Sequence, residues 1–294
     1  MCVETWSKAK NQRYIKNPQY TSMKLTDFPI FEFTSPLKPE HLKFFEDHGF
    51  LHFRGFINQD SVDLFKKEMR AIETKWAEQN VEKVNGVPIK WGTDIDGRKI
   101  VQRFAFSSQH SNVLHEFIQD PRFTSLYPLL GSHAKNPRMG ENEKDGLVIN
   151  HYINIDSSNF SRLGWHTDCL RDVFYGKRIM PMLNVGVHLT DAVPNNGGLK
   201  ILAGTHKQNI LGLLFRKRYF MDHNPDKNEM GLMTKAGDLT IHDGRLWHRV
   251  EQSSILGETS RRQVMYVPII CGEPMVKDEN SKTQFYQRFQ KMAK

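Results

Sequence analysis

Apolar residues in the first half of the chain recur with the period of a helix. From Gln59 to Gln79, the residues Val62, Phe65, Met69, Ile72 and Trp76 stand three and four apart, which puts them on one stripe of an amphipathic helix. A shorter helix is predicted from Pro36 to His48: Pro39 suits a first turn, Leu42, Phe44 and Phe45 supply an apolar face, and Gly49 can end it. Ser111 can cap a third helix running through Val113, Leu114, Phe117 and Ile118 and stopping near Asp120-Pro121. Another is expected from Phe123 to Leu130, before Gly131. Between them, Phe50 to Phe56 reads as a strand, and residues 81–110, with Gly86, Gly92 and Gly97, as loops and short strands.

From residue 147 the pattern changes to short β-branched runs separated by turns. Leu147–Ile155, Met182–Leu189, Leu199–Leu202, Asp238–Ile241 and Gln263–Ile269 are predicted strands, and Asn195-Asn196-Gly197-Gly198 is a strong turn. Helices first and many short strands afterwards predict an α+β chain with a mainly β core, helices packing on a sandwich or barrel. There is no internal repeat or low-complexity tract. We expect a polar N-terminal arm over residues 1–35 and a single domain over 36–294, with segment 207–235 inserted beside the site as a lid.

Composition narrows the function classes. With 38% hydrophobic residues in 294, there is ample material for a core. No apolar run approaches the roughly 20 residues that span a bilayer, and the N-terminus lacks a signal-peptide pattern, so the expectation is a cytoplasmic protein with no membrane partner. Cys2, Cys169 and Cys271 are too few and scattered for a disulfide framework or a thiolate zinc site, so any metal must be held by His and carboxylate. The net charge of +8 favours anions. The basic residues are dispersed apart from Arg216-Lys217-Arg218 and Arg261-Arg262, and no nucleic-acid module appears, so the expected partner is a small molecule, anionic if the charge balance is a guide.

His166-Thr167-Asp168 is the leading candidate for chemistry. In a strand, residues i and i+2 share a face, so this triplet offers one nitrogen and one oxygen ligand together. Those are two members of the 2-His-1-carboxylate triad that holds non-haem Fe(II) with open positions. Two histidines, His242 and His248, are rivals for the third place, and Arg261 and Arg262 open the strand that follows. A jelly roll can bring this hairpin beside the strand bearing His166. Trp165 and Trp247 precede proposed ligands and should face away from them. Residues at the same positions in a metal hydrolase would activate water, and a non-catalytic anion-binding protein would use the charge alone.

In combination these segments resemble the phytanoyl-CoA dioxygenase family of Fe(II)/2-oxoglutarate oxygenases. The resemblance rests on Asp47-His48-Gly49-Phe50, His166-Thr167-Asp168, Gly197-Gly198-Leu199-Lys200-Ile201-Leu202-Ala203-Gly204-Thr205-His206 and Gly237-Asp238, then a histidine and an arginine, in order from about residue 38 to 270. It implies a double-stranded β-helix (a cupin-like jelly roll) with supporting N-terminal helices. It also implies iron held by His166, Asp168 and His248, and 2-oxoglutarate and O2 as cosubstrates. Arg261 best matches the residue that pairs with the far carboxylate of 2-oxoglutarate, with Arg262, on the opposite face, as its competitor. Asn150 and Thr205 are further candidates for cosubstrate contact, and Lys99, Gln102 and Arg103 for the pocket wall. The implied reaction decarboxylates 2-oxoglutarate to succinate and CO2 and hydroxylates a C–H bond; an intact Asp168 argues against halogenation. Val250, Ser253 and Ser254 depart from the family's usual hydroxyl and asparagine positions.

Overall fold

The structure, a computed structural model, describes residues 28–158, 160–174 and 178–284. Most of the predicted arm, up to residue 27, therefore lies outside the described residues; from Phe28 onward the chain packs on the core through Phe28, Phe31 and Phe33. After β1 (Phe31–Glu32), helix α1 (Pro39–His48) ends at Gly49, whose φ of 79° favours glycine, and β2 (Phe50–Arg54) follows. In α2 (Gln59–Glu78) the buried stripe includes Val62, Phe65, Met69, Ile72 and Trp76, as the spacing requires, and Asn58 caps its start by accepting from the Ser61 amide. The small hairpin β3 (Lys83–Val84) and β4 (Val87–Pro88) precedes β5 (Lys90–Thr93), β6 (Lys99–Arg103) and α3 (Asn112–Ile118). Ser111 caps α3 as predicted. The segment expected as a fourth α-helix is a 3₁₀ helix over Pro121–Leu130; Pro128 inside it removes a backbone donor.

The second half begins with β7 (Arg138–Met139), β8 (Val148–Tyr152) and β9 (Leu163–His166). Then come α4 (Leu170–Phe174), β10 (Met182–His188), β11 (Gly198–Ile201) and α5 (Ile210–Phe215). Strands β12 (Met230–Gly231), β13 (Leu239–Asp243), β14 (His248–Glu251) and β15 (Arg262–Ile270) complete it. The larger sheet has the order β1-β2-β13-β10-β15-β8-β6-β5, with β7 also on β15; the smaller one is β12-β11-β14-β9. From β8 to β15 the chain thus winds between two sheets, the topology of a double-stranded β-helix.

Alternation divides the larger sheet into two faces. Leu183, Val185, Val187, Leu239, Ile241, Met265, Val267 and Ile269 join the main core with Phe44 and Phe45 of α1 and the stripe of α2. Their sequence neighbours, including Asn150, Tyr152, Asn184, His242 and Tyr266, line the space between the sheets. On the smaller sheet, Trp165, Trp247 and Leu202 form a separate buried cluster, so the two tryptophans pack the sheet while their neighbouring histidines turn inward. Among the described residues no helix is long and apolar enough to cross a membrane.

Candidate metal centre and cosubstrate pocket

The pairing of β9 with β14 sets the centre. His166 and His248 are direct partners in that antiparallel register, and their ring centroids lie 4.1 Å apart. Asp168 follows just beyond the end of β9. His166, Asp168 and His248 each offer one ligand atom, and the three atoms all lie within 4.8 Å of one another. Nδ1 of His166 bonds the Gly164 carbonyl at 2.8 Å and Nδ1 of His248 the Leu246 carbonyl at 2.9 Å. A carbonyl only accepts, so both rings carry a proton on Nδ1, which leaves Nε2 as the nitrogen that can serve as a ligand.

Charge agrees with tautomer. Burial, reinforced by the neighbouring His166 and His242, holds the pKa of His248 well below its ordinary value, so this imidazole is neutral. Burial pushes Asp168 upward, but its surroundings, among them the hydrogen bond from His242, outweigh it and hold the carboxyl well below the usual carboxylate range. Two imidazoles offering Nε2 and one carboxylate suit a divalent first-row transition metal. The rival His242 stands next to this set: its Nε2 lies 3.1 Å from Oδ2 of Asp168.

A cavity of about 120 Å³ opens beside these three residues, with Asn150, Tyr152, Asn184, Leu199, Val250 and Tyr266 on its walls. Tyr152, Leu199, Val250 and Tyr266 also wall a deeper space of about 40 Å³, which reaches Arg262 and His188. Arg262 is buried, with its guanidinium 5.1 Å from the Tyr152 ring and Nη2 donating to the Glu251 carbonyl at 3.0 Å. Gly198 stands against this guanidinium: a Cβ there would lie 3.6 Å from Nη1, in van der Waals contact. Three buried polar atoms along this wall have no partner among the described residues: Arg262 Nε, the Tyr152 hydroxyl and Asn150 Oδ1. Each such group costs roughly 1–3 kcal/mol if left unpaired, so the wall is shaped for a polar ligand running from the metal triad to Arg262.

Arg261, the other arginine of the pair, points through the opposite face. It donates to Asp94 and Glu258 at 2.6 Å each, and to Nε2 of His151 at 2.6 Å. Its charge is neutralised in that network, and it borders a separate charged surface hollow. Thr205 also lies away from the cavity wall; its hydroxyl donates to the Leu202 carbonyl at 2.7 Å and accepts from the Trp247 amide at 3.0 Å, which fixes the approach to His248. Of the three residues considered on the early strand, Arg103 reaches the wall, paired with Asp145 at 2.7 Å. Gln102 instead bonds Ser158 at 2.9 Å, and Lys99 lies over the Trp91 ring at 4.1 Å. Both ring nitrogens of His188 are engaged, by Thr240 at 3.0 Å and Thr234 at 3.2 Å, while His206 bonds the Glu46 carbonyl at 3.0 Å.

Several wall residues were not singled out from sequence. Asn184 carried a readable signal, a polar inward position among the apolar residues of the Met182–His188 strand. Lys90, Lys144 and Phe160 carried none, because only tertiary pairing brings them to the cavity wall. The segment expected as a lid supplies Tyr219 and Phe220: Phe220 stacks on the His166 ring at 4.7 Å, and the Tyr219 hydroxyl donates to the Thr167 carbonyl at 3.1 Å.

A family model described as phytanoyl-CoA dioxygenase (PhyH) matches residues 45–254. Among solved structures, the non-haem α-ketoglutarate-dependent carbocyclase SnoK from nogalamycin biosynthesis is similar with a TM-score of 0.58 and 15% identity, over 88% of this chain and 92% of that one. EctD from S. alaskensis in its apo form gives a TM-score of 0.58 at 14% identity, over 87% and 86%. HygX from Streptomyces hygroscopicus, with nickel and 2-oxoglutarate bound, gives 0.54 at 18% identity, over 80% and 87%. At these identities the likeness is one of fold. No curated protein sequence matches the chain.

Proposed function

The chain belongs to the phytanoyl-CoA dioxygenase family and is a non-haem iron oxygenase dependent on 2-oxoglutarate and O2; from that premise we propose that it hydroxylates an unactivated C–H bond of a small anionic molecule. 2-Oxoglutarate would be decarboxylated to succinate and CO2 in each turnover. The observation that carries this reading is the buried, partly unmatched polar wall between the triad and Arg262. A metal hydrolase has no need of such a clamp.

His166, Asp168 and His248 would hold the iron, which with its cosubstrates supplies the oxidant for the C–H bond. The protein's own residues bind and orient. Arg262 pairs with the far carboxylate of 2-oxoglutarate, a task suited to a planar, permanently charged fork. The Tyr152 hydroxyl and Asn150 complete its polar contacts, while Leu199 and Val250 flank its methylene chain. Arg261 takes no part in this binding. HygX, whose structure holds nickel and 2-oxoglutarate on a similar fold, supports 2-oxoglutarate as the cosubstrate.

The mouth argues for an anionic substrate. Lys90, Arg103 and Lys144 line it, with Asp145 as the acid beside them. Asp145 is bridged by Arg103 at 2.7 Å and Lys277 at 3.0 Å, and Lys144 pairs with Asp172. The lining thus brings the cations Lys90, Arg103 and Lys144 together with the carboxylates Asp145 and Asp168, a set of charges suited to an anionic group. Phe160, Tyr219 and Phe220 give it apolar walls, and segment 207–235 serves as the cover that excludes water. Because wall residues come from both halves of the chain, the described residues from 36 to 284 act as one domain.

The test is succinate formation by the Fe(II) protein with 2-oxoglutarate and O2, across pairs of anionic compounds and their neutral esters or amides. Stimulation by the anion and not by its neutral partner is expected. Equal stimulation by both would remove the anionic substrate, and no succinate under any condition would remove the oxygenase reaction.

A further inference from the structure

Asp168 lies beyond the end of β9, outside any strand, so no strand ladder fixes its direction. Its carboxylate is gripped instead from the opposite sheet. Asn184 on β10 and His242 on β13 are direct partners in the antiparallel register, which stands their side chains together on the cavity face. Asn184 Nδ2 donates to Oδ2 of Asp168 at 2.9 Å, and His242 Nε2 lies 3.1 Å from the same oxygen. An ionised carboxylate only accepts, so Nε2 of His242 carries the proton in this bond. Neither residue is demanded by packing: their strand neighbours Leu183, Val185 and Ile241 supply the core on the other face.

We propose that the cross-strand pair Asn184–His242 positions the metal-binding carboxylate. By holding Oδ2, the carboxylate oxygen 3.8 Å from Nε2 of His248, with two donors, it fixes how the carboxylate faces the triad, so that one oxygen and not both meets the metal. This matters for the reaction. One carboxylate oxygen and two imidazoles leave three positions of an octahedral ion, enough for a bidentate 2-oxo acid and O2, whereas a chelating carboxylate would leave two. His242 is therefore a positioning residue and not a metal ligand, and the inference rests on the iron reading of this site.

The test is anaerobic Fe(II) titration of the full chain against a competing chelator, beside thermal melting of the metal-free protein. His242→Phe keeps a ring without the donor, Asn184→Leu keeps the volume, and His242→Gln restores an N–H. Each of the first two is expected to weaken Fe(II) binding about 10–100-fold, the usual scale for partners of metal ligands, with little change in metal-free melting. His242→Gln is expected to regain most of the affinity. Unchanged affinity in both His242→Phe and Asn184→Leu would overturn the proposal. So would complete loss of Fe(II) binding in both His242→Phe and His242→Gln, which would make His242 a ligand. If His242→Phe does not fold, Asn184→Leu decides. Wild-type protein that binds Fe(II) but never consumes 2-oxoglutarate would defeat the proposed function and leave this inference to stand on the affinities.

Discussion

The two faces of the larger sheet are built from the same strands and do opposite work. On β13, Leu239 and Ile241 enter the apolar core beneath α1 and α2, while Thr240 and His242 face inward. On β15, Met265, Val267 and Ile269 serve the core, while Tyr266 and Arg262 border the cavities. Alternation lets one face collect burial energy while the other holds polar groups that would be costly in a core. On the outer face the charge of Arg261 is matched within the protein, by Asp94 and by Nε2 of His151. On the inner face Arg262 Nε, the Tyr152 hydroxyl and Asn150 Oδ1 have no partner among the described residues, and the proposed 2-oxoglutarate would match them.

The comparison breaks most severely at the triad. His248→Ala is expected to abolish Fe(II) binding and succinate formation, while His242→Ala retains a measurable share of both; anaerobic metal titration and a succinate assay check this. Next comes the arginine pair. Losing one partner of a buried charge pair costs about 2–5 kcal/mol, so Arg262→Ala should raise the 2-oxoglutarate requirement on the order of a hundredfold or more. Arg261→Ala should leave it within about threefold and lower the melting temperature, since it strips Asp94 and Glu258 of their cation.

On the outer face, Ile241→Ala should cost about 2–5 kcal/mol of stability by leaving a cavity in a fully buried core. Denaturant unfolding measures that loss, and the Fe(II) affinity of the folded fraction should not change. The smallest effect is pH dependence. Burial pushes the pKa of His151 and of His188 down to about 3. Below about pH 6.5 the unfolded chain takes up protons that these folded imidazoles refuse. Their contribution is therefore intact above pH 6.5 and lost as pH falls toward 3, with a slope on the order of 1 kcal/mol per pH unit for each. Metal-free melting curves across that range should show the decline, and His188→Gln should flatten part of it.

What could be read from sequence follows from the range of the forces involved. The stripe of α2, the Ser111 cap and the core strands are local patterns, and each appears where its spacing predicts it. The triad was legible because His166 and Asp168 are two residues apart and the resemblance supplied His248. Which arginine faces the cavity was not legible. It depends on the short 3₁₀ turn Glu258–Ser260, which sets the register in which β15 begins. The grip of Asn184 and His242 on Asp168 is a tertiary product of three strands, with only the inward polarity of Asn184 as a hint.

The most direct test is anaerobic titration of the Fe(II) protein with 2-oxoglutarate, following the visible metal-to-ligand band, in wild type, Arg261→Ala and Arg262→Ala. The inner-face assignment predicts a band that grows at similar concentrations in wild type and Arg261→Ala, and only at far higher ones in Arg262→Ala. Absence of the band in folded, iron-loaded wild type, or a loss confined to Arg261→Ala, would contradict it.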